Sequence, residues 1–532
     1  MDLSVTSCTP SVINLSAGPR GPPMTTDLAE HAHHLLRAMV TDPYGDFSPS
    51  VYETARVVAL LPDLAGHANR IAFLLDQQAP DGGWGGPDGY GLLPTLSATE
   101  ALLTEFRRTG APSIAAAAEH GLQALTTRWG RDLRVGLPDT VAVEILVPSL
   151  VSALNAHLDA LEAEDMVLAR ARLPHPEGTH PALLHGMRRL VEDGRALPDK
   201  VLHSLEALGP AARGVGFARP GDDGLGCSPA ATAAWFGADG ARGHPGVRYL
   251  ENVQARHGGA VPVAAPLTVF ERSWVVSTFA DAGLAVDVPG EVLDGLAAEL
   301  GPHGASGGAG LPPDADDTST ALYALAAQGR PHPLDCLREY QVDGHFCTYP
   351  DERTPSVTTN AHVLQALRAH GQSEVAGRVA AWIAAQQHPD GSWTDKWHAS
   401  PYYATARCFL ALAGSGHGAA ARARALRWIA RTQNPDGSWG RWQGTFEETA
   451  YAVQVLARAG GPGADEAAAR GCAFLLSWAD AGHPPLWHDK DLYTPGRIVR
   501  AEGIAALHLA GARPRVAALL TRLEPAPAER TG

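Results

Sequence analysis

The residues best suited to chemistry stand together in Leu311-Pro-Pro-Asp314-Ala-Asp316-Asp317-Thr318-Ser319-Thr320. Three carboxylates within four residues follow a Gly/Pro loop and open an apolar stretch that reads as a helix. Two readings fit. In one, Asp314 or Asp317 caps the helix and the other acids favour its positive end. In the other, crowded like charges raise one pKa and keep a carboxyl protonated near neutrality, ready to donate its proton. A proton donor at an apolar cavity suits a substrate without a basic atom.

Such a donor needs a frame, and the chain supplies one by repetition. The pattern Gln-x-Pro-Asp-Gly-(Gly/Ser)-Trp occurs as Gln78-Ala-Pro-Asp81-Gly-Gly-Trp84, Gln387-His-Pro-Asp390-Gly-Ser-Trp393 and Gln433-Asn-Pro-Asp436-Gly-Ser-Trp439. Gln387 and Gln433 lie 46 residues apart, and the same step back reaches Gln341, which opens the degenerate copy Gln341-Val-Asp343-Gly344-His-Phe346. Periods of this size mark repeat architectures. Each unit reads as two helices: an amphipathic one such as Arg378–Gln386, then one apolar nearly all round such as Thr405–Ala413. Pro-Asp-Gly between them is turn chemistry. Alternating β-branched runs are almost absent, so the fold class is all-α. Paired inner and outer helices build a toroid or an open solenoid. Inner helices this apolar favour the closed ring. In the repeats themselves, tryptophan packs between units and glutamine ties the turn to a neighbouring helix, so the pattern speaks to fold and not to chemistry.

At 532 residues the chain suggests about three domains at roughly 150 residues each, and two large α-domains fit equally well. Hydrophobic residues make up 45% and charged residues 19%, enough for a substantial core. A net charge of −15 argues against nucleic acid as a partner. The six cysteines show no CxxC spacing, which excludes a disulfide scaffold and disfavours a zinc ribbon. No charge-free apolar run reaches the ~18 residues of a membrane span. A secretion signal is also missing, and the expected compartment is the cytoplasm. Residues 1–23, rich in Ser, Pro and Gly, read as a loose tail.

Asp-x-Asp-Asp on an α/α scaffold with these repeats resembles the class II terpene cyclases, the squalene–hopene cyclases and copalyl diphosphate synthases. Four further segments carry the resemblance in family order: Ser48-Pro-Ser-Val-Tyr52-Glu-Thr-Ala55, Leu202-His203-Ser-Leu-Glu206, Ser228-Pro-Ala-Ala-Thr-Ala233 and Asp395-Lys-Trp-His-Ala-Ser-Pro-Tyr-Tyr-Ala-Thr405. The match extends from about 40 to 510 and is nearest to bacterial enzymes making copalyl-type diphosphates, ent-copalyl diphosphate synthases among them. It implies two α/α-barrel domains, β and γ, with the cavity between them. The expected partition is 1–62 as tail and first helix of β, 63–268 as an inserted γ domain, and 269–532 as the rest of β. No class I α-domain is expected, since Asp-Asp-x-x-Asp is missing. Asp316-Asp317-Thr-Ser-Thr320 begins like the other class I motif, but Ala324 stands where that motif needs glutamate.

The resemblance also assigns roles. Asp316 is the general acid that protonates the terminal double bond of a prenyl diphosphate, and Asp314 and Asp317 tune it. Asn360, in Thr358-Thr-Asn360-Ala-His362, orients the acid's proton. Phe270, Trp274, Trp235, Tyr349, Trp397, Tyr402 and Tyr403 are candidates for the aromatic wall that holds the cation. His203 matches half of a plant His–Asn base pair, and Val263 stands at the asparagine position. Arg188, Arg189 and Lys200 are candidates for the diphosphate. Asp139 and Glu144 are candidates for Mg²⁺, the implied cofactor. The plant enzymes' acidic run is replaced by Arg131-Asp-Leu-Arg134.

The expected reaction turns geranylgeranyl diphosphate into a bicyclic copalyl-type diphosphate, with the ent isomer foremost. Its diphosphate is retained for a downstream class I terpene synthase. Farnesyl diphosphate going to drimenyl diphosphate, and a rearranged clerodane-type product, are the chemical alternatives. Other classes are an α/α-barrel glycosidase, which wants an open groove, a prenyltransferase-like zinc site at Cys347 and His362, which lacks a third ligand, and a toroidal binding module without catalysis.

Overall fold

The computed structural model describes residues 24–132, 136–163, 172–240, 244, 246–350, 352, 354–478 and 482–523. Arg134 and the side chain of Arg131 lie outside the described residues.

Two rings of helices account for most of the chain. The larger closes through six inner helices: Thr268–Ala282, Ala315–Ala327, Val357–Ala369, Pro401–Ala411, Phe446–Ala459 and Gly496–Gly511. Each packs on the next, and the last returns to the first. Gly290–Glu299, Ser373–Ala385, Ala419–Arg431, Pro462–Ser477 and Pro514–Leu523 pack outside them. Inner helices are buried on nearly every side, as the apolar pattern of Thr405–Ala413 predicts, while Ala419–Arg431 buries only a stripe. The smaller ring joins Val51–Leu60, Leu92–Thr109, Val143–Ala163, the 3₁₀ segment Asp199–Ala212 and Pro229–Gly240. The rings have separate apolar cores.

The segment 1–62, expected as tail and first helix of β, holds two helices among the described residues: Met24–Thr41 packs on Gly496–Gly511 of the larger ring, while Val51–Leu60 is a member of the smaller ring. Tyr52, Ala55 and Val58 enter the smaller core, while Val57 and Leu61 enter the larger, so this helix is shared.

The repeats act as clamps between helix pairs. In all three, the glutamine Nε2 donates to the turn glycine carbonyl and to an outer-helix carbonyl: Gln387 to Gly391 and Ala421, Gln433 to Gly437 and Ala467, Gln78 to Gly82 and Ala117. The indole N–H of Trp84, Trp393 and Trp439 donates to Leu74, Ile383 and Ile429. Glycine is required in the turn. Gly437 has φ +91°, and a Cβ there would stand 2.7 Å from the Arg470 carbonyl.

Strand structure among the described residues is confined to two short hairpins, Gln341–Val342 with His345–Phe346 and Trp487–His488 with Leu492–Tyr493. No helix among the described residues is long and apolar enough to cross a membrane.

Candidate active site

The candidate residues gather where the inner helices of the larger ring begin. Phe270 and Trp274, Asp316, His362, Tyr403 and Glu447 all sit within the first two turns of their helices. This end of the ring therefore carries the positive ends of the helix dipoles, which favour a carboxylate.

The acid cluster combines a helix cap with carboxyls of raised pKa. Asp314 is the N-cap, and its Oδ1 accepts from the backbone N–H of Asp316 and of Asp317 at 2.8 Å each. The cap thereby holds Asp316 on the inner face, 9% exposed. Burial, with the charge of Asp316, pushes the Asp314 carboxyl up to about 7. Burial and then Asp314 push Asp317 well above the usual carboxylate range. The cluster thus retains protons near neutrality.

The orienting residue is not the expected one. Asn360 accepts from the Phe346 N–H and donates to the carbonyls of Phe346 and Ser356, all at 2.8 Å, so it pins the first hairpin to its helix. His362 holds the acid, with Nδ1 2.6 Å from Asp316 Oδ1. Two residues along a helix turn a side chain by about 200°, so Asn360 and His362 serve opposite faces.

An aromatic cluster continues from His362. Trp274 meets the His362 ring edge-on at 4.9 Å and lies 4.7 Å from Phe270. Tyr403 packs on Trp487 at 4.9 Å and on His398 at 4.6 Å. Trp487, from the second hairpin, is a wall residue that sequence reasoning missed. Its indole N–H donates to Glu447 Oε1, which also takes the Tyr451 hydroxyl and lies 3.1 Å from His398 Nε2. Tyr349 senses the charges of all three aspartates and packs 6.4 Å from Trp397. Two expected wall residues are elsewhere. Tyr402 packs on Trp428 of the outer layer, and Trp235 donates to the Val215 and Ala218 carbonyls and packs on Phe236. The cavities of ≈ 210 and ≈ 190 Å³, beside Gly308 and beside Glu206, are not lined by Asp316.

His203 is committed at both nitrogens, with Nδ1 2.6 Å from the Gly226 carbonyl and Nε2 3.0 Å from Asp489 Oδ1. Burial opposes its charge, but Asp489 prevails and its pKa is raised. No lone pair is left to take a proton from a substrate, so the half dyad read from the sequence does not supply a base. The ring belongs to a buried ionic cluster between the two cores. Lys490, 1% exposed, bonds Glu53 at 2.6 Å, Ser228 at 2.8 Å and Glu206 at 2.8 Å. Tyr52 donates to Glu206 as well. Three of the family segments therefore meet at one lysine.

The expected diphosphate cations do not converge. Arg188 donates to the carbonyls of Leu208 and Ala207 and to Ser149, while Arg189 and Lys200 lie on the exposed face. A different cation stands near the acid. Lys396 is half-buried, has Nζ 5.0 Å from the Trp397 ring centroid and pairs with Glu352. Burial lowers its pKa to about 8, against the charges of Asp139 and Asp316. Asp139 is exposed and Glu144 half-buried. Among the described residues no three His, Cys, Asp or Glu side chains gather as metal ligands.

A buried acid on a histidine, an apolar aromatic wall and a closed α/α ring define a protonation-initiated cyclase of the class II kind. Comparison with known proteins agrees. Residues 349–496 match the model of the squalene-hopene cyclase C-terminal domain. The chain is 48% identical to the ent-copalyl diphosphate synthase of Streptomyces sp. (strain KO-3988), over 90% of this chain and 95% of that protein. It is 43% identical to the labda-7,13-dienyl diphosphate synthase of Streptomyces clavuligerus, over 93% and 95%. The solved structure of ent-copalyl diphosphate synthase from Streptomyces platensis superposes with a TM-score of 0.83 at 47% identity, over 91% of this chain and 99% of that one. The chain belongs to the copalyl diphosphate synthase family of class II terpene cyclases.

Proposed function

We propose that the protein cyclises geranylgeranyl diphosphate to a bicyclic copalyl-type diphosphate, most simply the ent isomer, with the diphosphate retained. The observation that carries this is the bond from His362 Nδ1 to Asp316 Oδ1 beside Trp274. With Oδ1 engaged, Oδ2 is the oxygen left to deliver the acid's proton. That proton passes to the terminal double bond, and ring closure carries the cation along the aromatic wall, whose faces stabilise it. As Asp316 becomes a carboxylate its bond from His362 strengthens, so the interaction favours the transition state over the ground state. The product names of the relatives support a bicyclic diterpenoid diphosphate, and two relatives at 47% and 48% identity carry the ent prefix.

Lys396 is the cation this reading assigns to the diphosphate. Asp139, whose charge Lys396 feels, and Glu144 supply hard oxygens for Mg²⁺. These two side chains would hold the ion through carboxylate oxygens, the ligand type it prefers. When bound, the ion neutralises diphosphate charge. Since the product keeps its diphosphate, an ionising class I synthase is the enzyme to consume it. The cytoplasm is the setting this reading assigns.

The test is incubation with geranylgeranyl diphosphate and Mg²⁺, dephosphorylation and GC–MS, with Asp316→Asn alongside. Asparagine matches aspartate in size and Asp314 alone caps the helix, so a purely structural Asp316 tolerates the change. A bicyclic alcohol from wild type alone supports the reading, and equal product from both contradicts it.

A further inference from the structure

We propose that His488 is the base that ends the reaction, taking the last proton from the cyclised cation at Nε2. This rests on the class II reading above.

The second hairpin places His488 directly after the wall residue Trp487, with its ring 5.0 Å from that of Tyr90 in the smaller ring of helices. His488 therefore stands at the boundary between the two units, on the opposite face of its strand from Trp487. Its Nδ1 lies 2.6 Å from the Lys396 carbonyl. Only an N–H can make that bond, so the tautomer is set and Nε2 carries the lone pair. That Nε2 is buried without a hydrogen-bond partner, in a residue 7% exposed. The backbone N–H of His488 donates to the Trp397 carbonyl at 2.9 Å, and the Trp397 indole N–H is also buried with no partner. Buried polar atoms are nearly always paired in a packed core. An open acceptor and an open donor on neighbouring residues, beside Lys396, instead suit a surface that meets substrate or its attendant water.

Some of the neighbouring bases are already committed. His203 uses both nitrogens, and Glu53 has its carboxylate bound to Lys490, Ser228 and the Ala230 N–H. In the step itself, a C–H bond on the carbon next to the cationic centre breaks. Its electron pair becomes the new C=C bond, and its proton bonds to Nε2 to give an imidazolium. Burial holds the His488 pKa down to about 3. A base this weak suffices, because hydrogens beside a tertiary carbocation are far stronger acids. It also surrenders the proton to water readily, which resets the site.

The test compares wild type with His488→Phe, which keeps a ring against Tyr90 and removes Nε2, and with His488→Gln. Geranylgeranyl diphosphate and Mg²⁺ are supplied, and the dephosphorylated products are separated by GC–MS. Each variant's fold is checked by its melting curve, and the ratio is read from whichever variant folds. Ring closure should persist in the variants, while the wild-type olefin falls at least tenfold as a share of bicyclic product. A hydroxylated bicycle or a double-bond isomer should replace it. An unchanged product ratio in a folded variant overturns the proposal, as does a folded variant that makes no bicyclic product, since loss of the final base leaves protonation intact. Absence of bicyclic product from wild type overturns the reaction class itself.

Discussion

Replacing His362 by phenylalanine isolates the one contact that the acid mechanism cannot do without. The substitution keeps an aromatic ring against Trp274, 4.9 Å away, and deletes the Nδ1 donor 2.6 Å from Asp316 Oδ1. A hydrogen bond to a charged group contributes about 1.5–3 kcal/mol. This one is fully charged only after Asp316 has given up its proton, so nearly all of that energy belongs to the transition state. At 1.36 kcal/mol per tenfold, kcat should fall by roughly 10- to 150-fold. KM should hardly move, because His362 does not contact the diphosphate in this account. Steady-state assays with geranylgeranyl diphosphate separate the two constants. Asn360→Ala is the control: it breaks three bonds to Phe346 and Ser356 and should lower the melting temperature. A folded His362→Phe enzyme with kcat within threefold of wild type would refute the reasoning.

Other expectations follow from the same geometry. Lys490→Met leaves Glu53 and Glu206 buried without their cation and should destabilise the fold by about 3–5 kcal/mol, read from denaturant unfolding. Gly437→Ala puts a Cβ against the Arg470 carbonyl at φ +91° and should cost about 1–3 kcal/mol in the same measurement, with product identity unchanged. Lys396→Met should raise KM for the prenyl diphosphate about tenfold or more with a smaller change in kcat. Asp314, held near 7 against an ordinary 3.8, binds more protons folded than unfolded between those values. Its contribution to stability should therefore decline as pH rises across that window. Activity should fall as pH passes about 7 and the aspartate cluster loses a proton, and a flat pH–rate profile from 6 to 8 would contradict this.

Much of the fold was legible because its signals are local. Glutamine, turn glycine and tryptophan recur at one period, and the structure returns the same bonds in each copy. The Asp-x-Asp-Asp segment was legible for the same reason, with Asp314 named as one of two candidate caps. What escaped depended on the direction a side chain takes. Asn360 and His362 are two residues apart, and only helix phase decides which meets Asp316. Tyr402 and Tyr403 are neighbours, yet one packs outward on Trp428 and the other on Trp487. The hairpin carrying Trp487, His488 and Lys490 has two-residue strands, too short for any periodic pattern to announce. The segments around Tyr52, His203 and Ser228 stood out singly, but their meeting at Lys490 is a long-range contact that no spacing encodes. Lys396 lay inside a recognised segment, and its burial beside Trp397 is what singles it out.

The central claim is that the proton on Asp316 starts the cyclisation and stays in the product. The most direct measurement is turnover of geranylgeranyl diphosphate by wild-type enzyme equilibrated in D₂O, followed by dephosphorylation and mass spectrometry. The bicyclic alcohol should carry a single deuteron on the ring carbon that was protonated, and no inorganic diphosphate should be released during the reaction. A bicyclic product without deuterium, or diphosphate release in step with turnover, would contradict it.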